Sequence, residues 1–347
     1  MKILLGLSGG VDSAYAALSL IREGHEVEGA VLRMHRYTET EAAEKVARAL
    51  SIPFHIIDAE ERFAQAVGDN FTNEYALGRT PNPCVICNAE VKLRLLFDFA
   101  LDFGFDAIAT GHYARIEKID TEDGVRYAVA QPYDADKDQT YMLYRVPQDI
   151  LSRLVLPLSK EKKKHIKEEA EALMLVPREK KESQEICFIP DGDYASFIEA
   201  KRGKFPEGDF IDGFGNTLGR HKGIVHYTVG QRKGLGISLG ERAFVTDIDA
   251  VKNTVTLSFD APTAKGVTLT DMAFSGMKAP ESDCVRELSV KVRYRAKPIL
   301  CTACFSSSGV AELEFSAPCS FVALGQSAVL YDGDTVMAGG VIDRIER

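Results

Sequence analysis

No stretch of this chain stays apolar for the ~18 consecutive residues that a membrane-spanning helix needs. The first residues pass directly into Lys2-Ile3-Leu4-Leu5-Gly6, without the charged, apolar and small-residue succession of a secretory leader. The expectation is a cytoplasmic protein with no membrane partner. Cysteine is sparse: seven residues, an odd and unevenly spaced set, which speaks against a disulfide framework and for thiols in a reducing compartment, available for chemistry or metal. No internal repeat or low-complexity segment is visible. The formal net charge of −9 argues in bulk against a nucleic-acid partner, but its distribution does not. Lys201–Leu235 holds seven Lys/Arg against Glu207, Asp209 and Asp212, and Arg286–Lys297 sets Arg286, Lys291, Arg293, Arg295 and Lys297 against Glu287 alone. Such patches attract phosphates on an acidic molecule, although charge alone fits a solvated basic face equally well.

At 347 residues the chain exceeds one ordinary core and should divide into two or three domains. Its first part alternates strand and helix patterns: Lys2–Leu7 strand, Val11–Glu23 helix closed by Gly24, Val27–Leu32 strand, Thr40–Leu50 helix, Phe54–Ile57 strand, Glu60–Ala76 helix, Glu90–Phe103 helix and Asp106–Ala109 strand. That order predicts an α/β fold, a doubly wound parallel sheet with helices on both faces. Helical character returns over Ser159–Leu175. After about residue 200 glycines cluster and short β-branched runs take over, among them Val245–Ile248, Thr254–Leu257, Leu288–Tyr294, Ala311–Phe315 and Ala328–Tyr331. The expected division is a catalytic domain over 1–200, a small β-rich domain over 201–261 and a C-terminal β-barrel over 262–347.

Between the first strand and first helix lies Gly6-Leu7-Ser8-Gly9-Gly10-Val11-Asp12-Ser13. The carboxyl end of a parallel strand facing a helix N-terminus is where phosphates dock. Gly9 and Gly10 let backbone N–H groups turn inward as an anion nest, and Ser8 and Ser13 add hydroxyls. Asp12 either orients a magnesium-bound phosphate or caps the helix. The loop lacks the Lys-Ser/Thr ending of a Walker A motif and is similar to the SGGxDS loop of the ATP-pyrophosphatase superfamily. That resemblance implies ATP cleaved between its α and β phosphates, with AMP left on an acceptor. Leu32, at the end of the second strand, fits an adenine contact or ordinary core packing.

Thr80-Pro81-Asn82-Pro83-Cys84-Val85-Ile86-Cys87-Asn88 is a proline turn entering a helix, whose first turn puts Cys84 and Cys87 on one face. A helix N-terminus favours a thiolate. Cys187 lies in Lys180–Phe188, where Lys180 and Lys181 would also lower a thiol. Buried, inert cysteines are the alternative for each. Pro298–Phe305 reads as a strand, so Cys301 and Cys304 face opposite sides and are structural, as are Cys284 and Cys319.

Together with Ala109-Thr110-Gly111-His112-Tyr113, Asp136-Lys137-Asp138-Gln139-Thr140-Tyr141, Ile186-Cys187-Phe188-Ile189, Gly230–Gly236 and Gly325–Val329, these segments resemble, nearly end to end and in order, the bacterial tRNA-specific 2-thiouridylase family. The resemblance implies that a tRNA wobble uridine is adenylated at O2 by ATP with magnesium. Sulfur then comes from a persulfide on Cys187, loaded by an upstream donor such as a cysteine desulfurase or a persulfide relay protein, with Cys87 as the partner thiol. It assigns Gly111 to the nucleotide, and Asn82, Pro83, Cys84, His112, Lys137, Asp138, Gln139, Arg293, Tyr294 and Gln326 to tRNA. Surface solvation explains Lys137 and Arg293 otherwise, and local packing His112, Tyr294 and Gln326.

One departure matters: many members of that family carry Asp, with an acid–base role, where this chain has Cys84. A thiol replaces an acid poorly. The sequence therefore favours the second reading of Cys84, a third ligand beside Cys87 and Cys187 for an iron–sulfur cluster with one open iron; zinc would need a fourth ligand. Two other functions compete. An amide-forming synthetase of the same superfamily explains the loop but leaves the cysteines idle, and a non-catalytic, nucleotide-gated RNA-binding protein makes no AMP.

Overall fold

The computed structural model describes residues 1–121, 124–173, 175 and 186–347. Five parallel strands build the first sheet in the order β3-β2-β1-β4-β7, with β1 Lys2–Gly6, β2 Glu26–Arg33, β3 Phe54–Asp58, β4 Ala107–Thr110 and β7 Leu154–Val155. Both faces are covered, as a parallel sheet requires. Ile3, Leu5 and Leu7 pack with Ala14, Ala17 and Leu20 of helix α1 (Val11–Arg22) and Val46 of α2 (Thr40–Ala49), while Leu4, Ala30 and Leu32 face Phe63, Val91 and Leu96 on the other side. Gly24 closes α1 as expected, at φ +81° and with its N–H donating to the Ile21 carbonyl.

The far face is made of two long helical runs, each with a π turn inside. One runs through Glu60–Phe63, Ala64–Asp69 and Asn70–Ala76; the other through Pro83–Ile86, Cys87–Lys92 and Leu93–Asp102. The second joins the helical turn expected at Cys84 and Cys87 to the helix expected from Glu90, and so begins at Pro83. Pro83 at its first position and the Asn82 side chain, which accepts the Cys84 N–H at 3.2 Å, start it there. The helical pattern expected over 159–175 is a 3₁₀ turn, Pro157–Lys160, followed by a helix over Lys163–Ala172. Part of the expected span, Met174, lies outside the described residues, as do Lys180 and Lys181 near Cys187.

A hairpin absent from the sequence reading, β5 Arg115–Thr121 and β6 Gly124–Ala130, leaves the first sheet and joins the C-terminal one. That second sheet closes on itself: β12 Thr263–Phe274, β15 Ala311–Ser320, β14 Ile299–Phe305, β13 Cys284–Lys291, β16 Ser327–Asp332 and β17 Thr335–Glu346 are neighbours in that order, and β17 pairs back to β12. The result is a six-stranded antiparallel barrel around Val290, Ala303, Leu313, Leu330 and Ile342. Between the two sheets stands a four-stranded one, β10-β11-β8-β9, from β8 Gly208–Ile211, β9 Thr217–His221, β10 Phe244–Asp249 and β11 Thr254–Ser258. Cys301 is buried and Cys304 exposed, as their odd spacing on β14 dictates. β13 ends at Lys291, earlier than the Tyr294 expected, because the chain turns at Arg293, whose carbonyl accepts the Ala296 N–H. Among the described residues no helix is long and apolar enough to cross a membrane.

Residues 138–144 fasten the barrel to the first sheet's layer. Tyr141 donates to the Ser327 carbonyl at 2.8 Å, Tyr144 meets the Ser327 hydroxyl at 3.2 Å, and Thr140 meets the Tyr331 hydroxyl at 3.1 Å. Asp138 and Lys291 form an ion pair at 2.5 Å with side chains only 7% and 11% exposed. Removing one partner strands a buried charge. Lys291→Met should thus destabilise the chain by about 3–5 kcal/mol in urea unfolding, and Asp138→Asn in the same molecule should recover most of that loss.

Candidate active site

The phosphate loop leaves β1 at Gly6 and is held by its own serines. The Ser8 N–H donates to Ser13 Oγ at 3.1 Å, the two hydroxyls lie 3.1 Å apart, and Ser13 Oγ donates to the Gly10 carbonyl at 3.0 Å. Gly9 carries the steric constraint: its φ is +71°, and a Cβ there would come within 2.6 Å of the Ala42–Ala43 backbone in α2. Gly10 differs from expectation. At φ −91° it is ordinary extended backbone before α1, and a Cβ would meet nothing closer than Ser8 Oγ at 3.5 Å, so the protein itself does not demand glycine at that position. Val11 opens α1, and Leu7 is buried behind the loop. Gly111, on the turn after β4, approaches so closely that a Cβ would stand 2.9 Å from the Asp12 carbonyl carbon, which gives that glycine a packing reason of its own.

Asp12 does not cap α1. Its carboxylate takes the Lys163 ammonium at 2.6 and 2.7 Å and accepts from the Tyr113 hydroxyl at 2.6 Å. Tyr113 is in turn gripped by Gln139, whose side-chain carbonyl accepts the Tyr113 N–H at 2.8 Å and whose own N–H donates to the Tyr113 carbonyl at 2.9 Å. Sequence reasoning missed Lys163, which lies 151 positions from Asp12 in a lysine-rich run that carries no motif.

The second half of the site starts where β2 ends. Leu32 is buried, and two residues on Met34 Sδ lies 3.8 Å from Cys87 Sγ. Cys87 is buried, whereas Cys84 and Cys187 are exposed. Burial pushes the Cys87 thiol up to about 11, opposed by Lys92 and reinforced by Cys187 and Cys84. Cys187 reaches solvent, but the atoms packed around its sulfur desolvate it enough to raise its thiol as well, with Lys92 again opposing. The expectation of a thiolate favoured by the helix N-terminus is thus corrected for Cys87: desolvation outweighs the helix end. Burial lowers Lys92, and the three cysteines together more than reverse that, leaving it raised above its ordinary value. The π turn over Cys87–Lys92 is what puts them together. At about 4.4 residues per turn, residue 92 returns to the face of residue 87, from which an α-helix would carry it away.

The three cysteines of the iron–sulfur reading differ in their exposure. Among the described residues no group of three or more His, Cys, Asp or Glu side chains is placed to hold a metal. Cys87 points inward at Met34 while Cys84 and Cys187 open outward, and a lysine stands in the charge field of all three.

Several residues expected at tRNA have internal partners. Asp138 is committed to Lys291 and Thr140, Gln139 to Tyr113, and Gln326 Nε2 donates to the Thr80 carbonyl at 2.9 Å, so that the barrel holds the cysteine turn in place. His112 bonds the Thr110 hydroxyl at 2.8 Å, and Tyr294 is half-buried against Tyr141. Lys137 ends a short 3₁₀ turn at the same edge. Arg293 is exposed, with its guanidinium 5.6 Å from the Phe321 ring centre. With Thr80, Thr228, Gly230, Phe321 and Gln326 it lines a cavity of about 330 Å³ where all three sheets' layers meet beside the cysteine turn.

A parallel sheet with a glycine–serine phosphate loop at its carboxyl edge and a thiol pair beside it defines an ATP-dependent enzyme of the pyrophosphatase-loop class. Family models divide the chain accordingly: a tRNA methyl transferase HUP domain matches 1–191, a tRNA methyl transferase PRC-barrel domain 195–258 and an aminomethyltransferase beta-barrel domain 264–342. The chain is 42% identical over 364 residues to the tRNA-specific 2-thiouridylase MnmA of Treponema denticola, covering 100% of this chain and 99% of that one. It is 41% identical over 358 residues to MnmA 2 of Clostridium botulinum strain Langeland (99% and 98% covered), and 42% over 361 to MnmA of Geotalea uraniireducens (99% and 95%). The chain belongs to the MnmA family.

Burial, then Lys92, depresses His112 from 6.5 to about 3. A depressed histidine favours the fold above its unfolded value and withdraws that support as pH falls. Stability should therefore drop between pH 6.5 and 3, and His112→Gln should flatten that drop in denaturant titrations at successive pH values.

Proposed function

We propose that this enzyme converts the wobble uridine of tRNA to 2-thiouridine at the expense of ATP. The observation that carries the reading is the end-to-end likeness to the MnmA relatives, on a chain whose glycine–serine loop stands at the carboxyl edge of a parallel sheet and whose Cys87 lies against Met34 just past the next strand. ATP is held by Gly6–Ser13, with Leu32 toward the adenine and Gly111 at the nucleotide. Magnesium enters with the phosphates, and Asp12 is the carboxylate at hand. Uridine O2 attacks the α phosphorus and pyrophosphate leaves. The terminal sulfur of a Cys187 persulfide attacks C2 and AMP departs. The Cys87 thiolate then attacks the Cys187 sulfur, breaking its bond to the transferred atom, so that a Cys87–Cys187 disulfide forms and the freed electron pair stays with the sulfur on C2. A thiol reductant restores the pair, and a cysteine desulfurase or persulfide relay protein reloads it.

No step runs through an iron–sulfur cluster. Cys84 is left as an exposed thiol at the target base in place of the usual aspartate. The tRNA meets Asn82, His112, Lys137, the exposed Arg293 and Tyr294, while buried Pro83 starts the cysteine helix and Asp138, Gln139 and Gln326 hold Lys291, Tyr113 and Thr80 beneath that surface. The cytoplasm, where tRNA and reduced thiols coexist, is the compartment this chemistry needs. Methyl transfer, which two of the matching domain models carry in their names, gives the thiol pair and the ATP loop nothing to do.

Reconstitution with tRNA, ATP, magnesium and a persulfide donor, followed by nucleoside mass spectrometry, should yield 2-thiouridine. Cys187→Ser and Cys87→Ser should each keep tRNA-dependent pyrophosphate release while losing nearly all thiolation. Thiolation that survives in Cys187→Ser with a persulfide donor would falsify the relay. Affinity for tRNA should fall steeply with salt, as counterion release requires, and Arg293→Glu should weaken it without changing ATP affinity.

A further inference from the structure

The loop Gly6–Ser13 contains no cationic side chain, and its one charged residue, Asp12, is an anion. Backbone N–H groups and the α1 N-terminus supply roughly half a positive charge between them. Pyrophosphate released from the α phosphorus carries several negative charges, far more than such a nest offsets. In phosphate loops of the Walker type a lysine at the loop's end supplies that charge; here the sequence has Asp12-Ser13 at that end.

The structure brings in a lysine from elsewhere. Lys163 is the first residue of the helix Lys163–Ala172, and its N–H is anchored on the Asp134 carboxylate at 3.0 Å. Its side chain is 15% exposed and reaches over the Tyr113 ring, 5.7 Å from the ring centre, to set its ammonium between the two oxygens of Asp12. Asp12 is held to receive it by the Tyr113 hydroxyl, and Tyr113 by Gln139. The chain Gln139–Tyr113–Asp12–Lys163 thus fixes one ammonium at the mouth of the anion nest.

We propose that Lys163 is the pyrophosphate-binding cation of this enzyme: it pairs with Asp12 before ATP binds, and turns to the β and γ phosphates once magnesium engages Asp12. This rests on the adenylation reading above. No bond is made or broken by Lys163. It neutralises the leaving group whose charge grows as the α–β bond opens, which is where a preorganised cation lowers the barrier.

ATP, AMP and inorganic pyrophosphate separate this role from a structural one, because AMP lacks the phosphates Lys163 would hold. In Lys163→Met, affinity for ATP and for pyrophosphate as a product inhibitor should fall on the order of tenfold to a hundredfold, the worth of a charge-assisted hydrogen bond. Affinity for AMP should stay within about twofold on the same scale. Lys163→Arg should recover most of the ATP affinity. Equal loss for AMP and ATP means that Lys163 merely shapes the loop, and unchanged ATP and pyrophosphate affinity means that it only pairs with Asp12; either result overturns the proposal. Should Lys163→Met unfold because Asp12 is left unpaired, the same three ligands are compared in Asp12→Asn and in Asp12→Asn with Lys163→Met, where a pyrophosphate-specific loss in the second relative to the first is still required. Wild-type protein that releases no pyrophosphate with ATP and tRNA would fail the adenylation reading itself, a result distinct from any of these.

Discussion

The buried ion pair between Asp138 and Lys291 closes a seam on which both halves of the site depend. Residues 138–144 are packed between the catalytic layer and the barrel, with Tyr141, Tyr144 and Thr140 spending their hydroxyls on Ser327 and Tyr331. Because that segment cannot shift, Gln139 holds Tyr113 at a fixed place, and Tyr113 holds Asp12. On the other side of the seam, the barrel returns through Gln326 and the Leu324 carbonyl to grip Thr80, just before the turn that carries the cysteines. A low-dielectric seam makes each of these polar contacts costly to break, so the loop and the thiol turn are held by one body of packing.

Burial raises the Cys87 and Cys187 thiols above their ordinary value. Cys87 pays for its burial with a raised pKa, and Lys92 counters this without abolishing it. The Lys92 ammonium, in the charge field of these thiols, is placed to balance the negative charge of a thiolate or a persulfide anion. The neighbouring histidines stay out of that exchange, since burial and Lys92 hold both His35 and His112 below their ordinary range.

Much of this was legible in the sequence because it is local. A strand ending in Gly-Leu-Ser-Gly-Gly before an apolar helix specifies a phosphate loop, and alternating β-branched runs specify the barrel strands. What escaped was non-local or lay in the wrong company. The hairpin Arg115–Ala130 sits in the middle of a strand–helix alternation yet pairs with β17, more than 200 positions away in chain order. The helical turn at Cys84 and Cys87 was legible from its prolines, but its continuation into the Glu90–Phe103 helix was not, because the π turn disturbs the 3.6-residue period at Cys87–Lys92. Counting cysteines did not show that Cys87 is buried against Met34 while Cys84 and Cys187 are exposed. Lys163 and Lys92 carry no motif at all; only the fold makes one lysine among many a partner of Asp12 and the other a partner of three thiols.

The two chemistries need opposite environments, and the sheet supplies both at one edge. Adenylation wants backbone amides and hydroxyls held rigidly around phosphate, and at Gly9 and Gly111 the loop is wedged between the backbones of α2 and the β4 turn with no room for a methyl group. Sulfur transfer wants a dry pocket in which a thiol is a stronger nucleophile once ionised, and the end of β2 gives Leu32 and Met34 to wall it. β1 and β2 are adjacent and in register, Gly6 beside Ala30, so the loop after β1 and the Met34–Cys87 contact after β2 leave from neighbouring strands at one edge. Neighbouring parallel strands lie roughly 4.8 Å apart, which sets the spacing of those two strand ends. The order of the sheet, more than any single side chain, is what brings the loop and the cysteine turn, which the proposed chemistry would use in succession, to one edge.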